Sequence, residues 1–356
     1  MYFSLEVKKR REDFYNMEEE LETLKREILD PKTRMIVIKG VRRTGKSSLM
    51  RVALNELKTP HIFIDLRLSG PLTPEAIYEY FSMELSKFLE DGLLRRMLSR
   101  VRGVEISGLK LEFAEKRMDV LGRILDELGR WAEGRQVVMA LDEAQELRVL
   151  RGFDKILAHI YDYVGGIKIM LAGSEIGLLD KLLGISNPKA PLFGRPFSEI
   201  NLKKLNWEKA VEFLKMGFEQ VNIKVSEDEI QDAVSKLDGI IGWLTFYGHL
   251  RAKGDPYALE KAVENGSKMV AEEFNQFLSG RQIARKRYIE VVKTLIKPST
   301  WSEVKRSLRG FANVNDKQVS NYLKELTYYG FVEKKDDLYS ISDPLLIEAI
   351  RRGYIR

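Results

Sequence analysis

Cysteine is absent from this chain of 356 residues, and histidine occurs only three times, at His61, His159 and His249. Without cysteine the chain has no disulfide, no thiol nucleophile and no cysteine-ligated metal, which fits a reducing compartment. The histidines are scattered and lack the spacing of metal ligands. A zinc site is therefore not expected.

Long apolar runs are missing as well. The longest, GIIGWLTFYGHL at 239–250, is too short to cross a bilayer. The N-terminus, MYFSLEVKKRRE, is charged almost from its start and does not have the pattern of a signal peptide. Internal repeats and low-complexity tracts are absent too. We therefore predict a cytoplasmic protein with no membrane partner.

The composition is that of an ordinary globular protein, with 44% hydrophobic and 31% charged residues. The length favours two or three domains. Lys and Glu are plentiful and Gln is scarce, a balance typical of thermophilic proteins. The chain has 59 Lys and Arg residues and 53 Asp and Glu residues. Residues 284–356 contain 15 of the basic residues and 9 of the acidic ones. The whole positive excess of six thus lies in the last fifth of the chain, which bears on its partners.

Five short runs rich in Val, Ile and Leu predict buried parallel strands separated by helices, an α/β sheet. The runs are MIVIKG (35–40), HIFIDL (61–66), QVVMALDE (136–143), IKIMLAGS (167–174) and SEINL (198–202). Between the second and third runs, an insert at about 67–135 has mainly amphipathic helix patterns. Alternation on both sides of Gly108 predicts a small hairpin within it.

Helix patterns replace strand patterns after residue 205, with Asn206 and Ser226 as predicted N-caps. We predict a core domain at 1–204, a helical lid at 205–283 and a third domain at 284–356. The last domain has three short helix patterns followed by a strand, a turn and a strand. That order is typical of a winged helix-turn-helix.

Residues 40–47 have the spacing G-x-x-x-x-G-K-S directly after a predicted strand and before a predicted helix. In such a loop the backbone N–H groups face phosphate, the lysine reaches the outer phosphates and the serine hydroxyl ligates Mg²⁺. A chance loop is the alternative, and the flanking strand and helix argue against it. The predicted nucleotide-binding residues are Gly40, Val41, Arg42, Arg43, Thr44, Gly45, Lys46, Ser47 and Ser48.

The third predicted strand ends in Asp142 and Glu143. An acidic residue at this place can hold Mg²⁺, and a following glutamate can polarise the attacking water. An acidic helix cap is the alternative interpretation. The guanine motif N-K-x-D and the transporter motif L-S-G-G-Q are both absent, so ATP is the favoured nucleotide.

Two further positions are candidates with an open alternative each. Ser174 ends the fourth predicted strand, where it could sense the γ-phosphate or orient water, or only cap a helix. Arg195 precedes the fifth strand and could act as an arginine finger in its own or a neighbouring subunit, or lie on the surface as a structural residue.

The strings FYNMEEELETL, GVRRTGKSSL, ALDEAQEL, LAGSEIGLL and LFGRPFSEINLKKL resemble the archaeal P-loop ATPase family of the STAND group, relatives of the AAA+ ATPases. The resemblance extends over nearly the whole chain and implies a nucleotide-driven switch with a lid and a winged helix. By position it implies phosphate binding at 40–47, magnesium handling by Asp142 and water activation by Glu143. Met17 and Ile241 depart from the arginine and proline common in such proteins, so lid-based sensing is in question.

Within DKQVSNYLKELTYYG, four residues form a core stripe: Val319, Tyr322, Leu323 and Leu326. The opposite side, which could meet duplex DNA, has Lys317, Gln318, Asn321 and Lys324. Nearby cations are Arg285, Lys286, Arg287, Lys305, Arg306 and Arg309, and acidic interruptions are Glu325, Asp336 and Asp337. Docking of a protein partner is the alternative for such a domain.

Two main hypotheses follow. The first is a Mg²⁺-dependent switch that binds ATP or ADP and moves the lid and winged helix. The second is a DNA-binding, transcription-related adaptor in which ATP is mainly structural. A scaffold whose partner docks on the insert is a third. Arg42 and Arg43 could guard the nucleotide or contact the C-terminal domain, and the oligomeric state is not predicted.

Overall fold

The structure, a computed structural model, describes residues 1–67 and 73–355. Up to residue 201, the described residues form seven strands and seven α-helices. The strands are β1 (Met35–Lys39), β2 (His61–Asp65), β3 (Val104–Ser107), β4 (Lys110–Phe113), β5 (Val137–Asp142), β6 (Ile167–Gly173) and β7 (Ser198–Asn201). The helices are α1 (Glu18–Leu29), α2 (Lys46–Leu57), α3 (Pro74–Ser86), α4 (Gly92–Leu98), α5 (Met118–Trp131), α6 (Phe153–Tyr163) and α7 (Ile176–Leu182). Short 3-10 helices span Arg11–Asp13, Ala144–Val149 and Gln282–Ala284.

Five strands form one parallel sheet in the order β2-β5-β6-β1-β7. Successive residues of β1 point to opposite faces, so Met35 and Val37 pack in one hydrophobic cluster and Ile36 and Ile38 in another. Helices α1 and α2 cover the second face, and α3 to α6 cover the first. The predicted α/β sheet of buried parallel strands is therefore confirmed, and with helices on both faces it has three layers. Its strands are buried on both faces, which is why their sequences are nearly continuous apolar runs.

The insert between β2 and β5 contains α3, α4, the hairpin β3–β4 and α5. The hairpin predicted around Gly108 is confirmed, since Ser107 pairs with Lys110 across the turn and Gly108 has a φ of +60°. The hydroxyl of Ser86 accepts the N–H of Leu111 at 2.9 Å and fastens the hairpin to α3. Residues 68–72 of the predicted insert lie outside the described residues.

Four helices follow the sheet: α8 (Trp207–Gln220), α9 (Glu227–Leu237), α10 (Ile241–Ala252) and α11 (Ala258–Ser279). The side chain of Asn206 accepts the N–H of Lys209 at 2.9 Å, and Ser226 accepts that of Glu229 at 3.2 Å. Both predicted N-caps are therefore present.

The last segment has the predicted three helices and antiparallel wing, with two elements that were not predicted. Its elements are α12 (Arg285–Thr294), β8 (Ser299–Thr300), α13 (Trp301–Phe311), α14 (Asp316–Tyr328), β9 (Val332–Lys335), β10 (Leu338–Ile341) and α15 (Pro344–Arg351). Strand β8, which pairs with β10, is too short for periodicity to detect. Helix α15 did have a start signal, because Asp343 is its N-cap and Pro344 its first residue.

Helix α15 folds back onto α11, so the lid and the winged helix share one hydrophobic core. At Gly266 of α11 an added Cβ would lie 2.3 Å from Cδ1 of Leu345, which shows how closely the two helices approach. We refer to residues 205–355 as the lid–wing body. The domain boundaries at 204/205 and 283/284 stay predictions.

The N-terminal residues are anchored in the lid rather than in the sheet domain. Phe3 is 2% exposed, and its ring lies where a side chain at Gly217 or Gly248 would be, 2.3 Å from an added Cβ in both cases. It also packs edge-on against Phe213 and Phe218. Residues 1–17 thus connect the lid to the sheet domain.

Replacing Phe3 by Ala is expected to destabilise the lid–wing body by about 3 kcal/mol, because it leaves a cavity between two glycine-lined helices. Urea unfolding followed by tryptophan fluorescence measures the loss. Leu5→Ala is the matched control, since Leu5 is 58% exposed and its truncation should cost no more than about 0.5 kcal/mol. Equal losses for the two variants would contradict the anchoring role of Phe3.

Candidate functional site

The phosphate loop joins the carboxyl end of β1 to the start of α2. Gly40 has no room for a side chain, since an added Cβ would lie 2.7 Å from the carbonyl oxygen of Leu202. Gly45 has a φ of +95°, and Thr44 donates its hydroxyl to the carbonyl of Val41 at 2.8 Å. Backbone conformation and close packing therefore require these glycines where the motif has them.

Lys46 is buried, and its ammonium donates to the carbonyls of Gly40 and Val41 at 2.9 and 2.8 Å. Burial lowers the pKa of Lys46 to about 8, although Glu143 and Asp142 oppose the shift. The hydrogen-bond acceptors of the Lys46 ammonium are thus neutral carbonyls. A negatively charged phosphate would form a stronger hydrogen bond with it.

Ser47 and Asp142 meet at the edge of the sheet, where the Ser47 hydroxyl donates to Oδ2 of Asp142. Oδ1 of Asp142 accepts the N–H of Glu143 at 3.0 Å. A hydroxyl and a carboxylate are hard oxygen ligands, which fit Mg²⁺ when phosphates and waters complete its shell. Among the described residues no group of three or more His, Asp or Glu side chains could hold a metal. This donor set therefore suits a nucleotide-bound Mg²⁺ better than a cage made of protein alone.

Glu143 is buried and held by donors on both oxygens. Oε2 accepts the Gln145 amide and the Ser174 hydroxyl at 2.6 Å each, and Oε1 pairs with Arg67 at 2.8 Å. Burial would raise the pKa of Glu143, but Lys46 and Arg67 lower it below the ordinary value. The carboxylate is thus kept ionised, the state that a general base requires.

The structure brings Ser174 and Glu143 together but leaves Arg195 apart from them. Ser174 also donates its N–H to Glu143 at 3.3 Å, so it orients the carboxylate directly. Arg195 pairs with Asp162 at 2.5 Å and donates to the carbonyl of Pro191. Within this chain Arg195 therefore has a structural contact, and a role toward a neighbouring chain stays a prediction.

Arg42 and Arg43 point from the loop toward other parts of the chain. Arg42 pairs with Glu175 at 2.7 Å and with Glu273 of α11 at 2.9 Å. Arg43 pairs with Glu273 at 2.7 Å, and one of its amino groups lies 4.0 Å from Asp343. Asp343 is the N-cap of α15. From the sequence alone, Arg43 could either guard the nucleotide or contact the C-terminal domain, and the structure shows the second contact.

Arg43 makes the backbone link between the loop and the lid. Its φ is +66°, its carbonyl accepts the N–H of Gly242 at 3.0 Å, and its guanidinium lies 4.1 Å from the ring centre of Trp243. An added Cβ at Gly242 would lie 2.6 Å from Cβ of Arg43. Trp243 in turn donates its indole N–H to Asp343 at 3.0 Å.

A cavity of about 540 Å³ lies between the phosphate loop, the lid and the N-terminal residues. Its lining includes Lys46, Ser47, Glu143, Glu273 and Ile241, together with much of residues 2–17. Met17 and Ile241, the two residues that differ from the arginine and proline common in similar proteins, both face Gly45. Their nearest atoms lie 3.7 and 4.0 Å from the position of an added Cβ at Gly45.

Sequence reasoning missed several lining residues. Tyr2, Phe213, Thr245 and Met269 are far from the motifs in sequence, and Arg67 follows β2 without any motif of its own.

On α14 the structure separates the core stripe from the outward side as predicted. Val319, Tyr322, Leu323 and Leu326 are buried. Lys317, Asn321 and Lys324 are exposed. Gln318 differs from the prediction, because its side-chain carbonyl accepts the N–H of Asn315 at 3.0 Å in a capping box. Three of the four predicted side chains therefore face outward freely.

The far end of α14 packs against the sheet domain beside the site. An added Cβ at Gly177 of α7 would lie 2.3 Å from the Tyr328 ring, and one at Gly330 would lie 3.0 Å from the Ser174 carbonyl oxygen. The end of α14 therefore contacts α7, and the turn after α14 contacts Ser174, the residue that orients Glu143.

No helix in the described part of the chain combines the length and apolarity needed to cross a bilayer.

Two family matches cover most of the chain. Residues 14–245 match an ATPase domain found predominantly in Archaea, and residues 282–342 match the C-terminal winged helix-turn-helix domain of MCM proteins. No curated protein matches the chain.

Solved structures show similar folds. A Walker-type ATPase of Pyrococcus abyssi is 31% identical, covers 99% of this chain and 100% of its own, and superposes with a TM-score of 0.81. The Orc1 protein of Aeropyrum pernix in complex with DNA is 16% identical over 96% of this chain and 92% of that one, with a TM-score of 0.49. Drosophila ORC bound to DNA is 12% identical over 98% and 89%, with a TM-score of 0.44. At scores below 0.5 the last two have no bearing on the function of this chain.

Mg²⁺ binding together with ATP is expected to weaken as the pH falls below about 6. Burial and the neighbouring Glu143 raise the pKa of Asp142 to about 6, and the protonated carboxyl is a poor metal ligand. By pH 5 the apparent affinity should be about tenfold lower than at pH 7. Calorimetric titration of Mg²⁺ into protein with ATP, between pH 5 and 8, measures it.

The Asp142→Asn variant is the control, since any pH dependence it retains comes from ATP or from other groups of the site such as Lys46. Identical pH profiles for the variant and the unmodified protein would contradict the assignment of Asp142.

Proposed function

Because the chain belongs to the ATPase domain family found predominantly in Archaea, we propose that it hydrolyses ATP with Mg²⁺ and that the nucleotide state sets the position of the lid–wing body. The chain is a Walker-type, AAA+-related ATPase with a winged-helix domain. The observation that supports hydrolysis is the convergence of four side chains at the carboxyl ends of β1 and β5. They are Lys46, Ser47, Asp142 and Glu143.

In this proposal the phosphates replace the loop carbonyls as partners of Lys46. Ser47 and Asp142 would hold Mg²⁺, which when bound neutralises charge on the outer phosphates. Glu143 accepts a proton from the attacking water. The oxygen of that water forms the new bond to the γ-phosphorus as the bond between the γ-phosphorus and ADP breaks. Ser174 and Gln145 are positioning residues, since both donate hydrogen bonds to Oε2 of Glu143.

In this mechanism one carboxylate oxygen of Glu143 must first lose its present partner before it can accept a proton from water. Both of its oxygens accept hydrogen bonds or an ion pair, and Arg67 is the exposed partner, at 46% side-chain exposure. Arg67 also lines the cavity, so phosphates can attract it away from Oε1 and leave that oxygen for water.

Coupling to the lid–wing body is supported by two contacts. The carbonyl of Arg43 accepts the N–H of Gly242, which joins the phosphate loop to the lid. Tyr328 and Gly330 of the winged helix pack against Gly177 and Ser174. A change at the phosphates thus acts on surfaces that the lid–wing body shares with the site.

Two single substitutions separate binding from hydrolysis. Lys46→Ala should abolish detectable ATP binding, because it removes the cation at the outer phosphates. Glu143→Gln should bind ATP and lower the hydrolysis rate by at least about 10²-fold, because an amide cannot accept the proton. Binding by calorimetry and phosphate release under Mg²⁺ measure both. Hydrolysis by Glu143→Gln at the unmodified rate would show that another residue is the base.

A second candidate function, DNA binding, is favoured by the outward face of α14. Lys317, Asn321 and Lys324 are exposed there, on the segment that contains all of the excess positive charge. A helix that exposes these side chains suits phosphate and base-edge contacts in a major groove. ATP would then be mainly a structural ligand or would control how the helix is presented.

Duplex DNA binding should fall steeply with salt if this function holds. Replacing both Lys317 and Lys324 by Ala should reduce the slope of log affinity against log salt by about two. Fluorescence anisotropy with a labelled duplex, from low to physiological salt, measures the slope. The double variant Lys203→Ala, Lys224→Ala is the matched control, because it removes equal charge from exposed positions outside the winged helix. Equal slopes for the two double variants, or no binding at low salt, would exclude α14 as a DNA-binding surface.

A further inference from the structure

Glu273, on the lid helix α11, lies between the two arginines of the phosphate loop. Oε2 accepts from Arg42 at 2.9 Å and Oε1 accepts from Arg43 at 2.7 Å. All three side chains are largely shielded, with exposures of 24%, 26% and 17%. A single carboxylate from the lid therefore accepts a hydrogen bond from one amino group of each guanidinium.

The same three side chains line the cavity that contains Lys46 and Ser47. Arg42 is additionally paired with Glu175, directly after Ser174 in the chain. Two arginines, a lysine and a helix N-terminus thus face a single cavity, and Glu273 is the anion that enters it from the lid.

Guanidinium groups bind phosphate and carboxylate through the same N–H donors. An amino group that donates to Glu273 cannot donate equally well to a nucleotide phosphate. Burial alone would raise the pKa of Glu273, but Arg42 and Arg43 lower it, so the side chain is ionised at neutral pH. A bound polyphosphate brings several negative charges into the same shielded space, where like charges repel strongly.

We propose that Glu273 is a lid-borne competitor of the nucleotide phosphates for Arg42 and Arg43. Binding of ATP exchanges the carboxylate for phosphate, and α11 is released from the loop together with α15 and the winged helix that share its core. Glu273 thereby lowers the affinity for ATP and makes release of the lid–wing body depend on the charge of the nucleotide. This inference rests on the proposed ATP binding.

The decisive variant is Glu273→Gln, which keeps the shape of the side chain and removes its charge. Measured by calorimetry in the Glu143→Gln background, where hydrolysis is blocked, it should bind MgATP about five- to tenfold more tightly. The gain should be smaller for MgADP, which carries less charge. Glu272→Gln, at the exposed neighbouring position, is the matched control and should leave both affinities unchanged.

A second measurement separates competition from a simple loss of packing. Hydrogen exchange of α11 and α15 should increase when MgATP is added to the chain with Glu273 in place. In Glu273→Gln it should already be increased without nucleotide and should respond little to MgATP. If the Gln variant does not fold, Glu273→Asp decides, because its shorter side chain cannot hold both arginines and should give an intermediate gain in affinity.

Unchanged or weaker MgATP binding by the folded Glu273→Gln or Glu273→Asp variant would overturn the inference, since Glu273 would then assist the arginines. Failure of the proposed function looks different. In that case the chain with Glu273 intact would not bind MgATP, or Lys46→Ala would bind it equally well.

Discussion

The hydrogen bond from Gly242 to the carbonyl of Arg43, 3.0 Å long, joins the two halves of this molecule at the phosphate loop. It requires a glycine at 242, because an added Cβ would lie 2.6 Å from that of Arg43. It also accompanies a left-handed backbone at Arg43, with a φ of +66°. The conformation of the loop and the position of the lid are therefore linked through this contact, which supports the proposed coupling of nucleotide binding to the lid.

Charged side chains of both signs surround the cavity beside this contact. The cations that line it or border it are Lys46, Arg42, Arg43 and Arg67, and the carboxylates paired with or near them are Glu143, Glu175 and Glu273. Each arginine pairs with a carboxylate from another part of the chain, and Arg42 and Arg43 share Glu273. The ammonium of Lys46 instead donates to the carbonyls of Gly40 and Val41. In the proposed mechanism, phosphates that enter this cavity compete with these carboxylates for the arginines.

Local sequence patterns predicted the fold well where a structural element is self-contained. Five apolar runs became the five strands of the parallel sheet, and the wing and its three helices lie where their periodicity indicated. The two-residue strand β8 has too few residues to show a period, and α15 was missed although Asp343 and Pro344 mark its start. For Arg195, position before a strand indicated only proximity to the sheet, and the contact with Asp162 depends on how α6 packs.

The sequence by itself determined the phosphate loop, the acidic pair Asp142 and Glu143, and the α/β and winged-helix architecture, because these depend on neighbouring residues and on backbone conformations that glycine permits. Only the tertiary structure decided what Arg42 and Arg43 contact. Arg43 and Glu273 are 230 positions apart, and a glutamate on an amphipathic helix gives no local sign of its partner. Long-range ion pairs are selected by the packing of whole elements, so they are read from the fold and not from spacing along the chain.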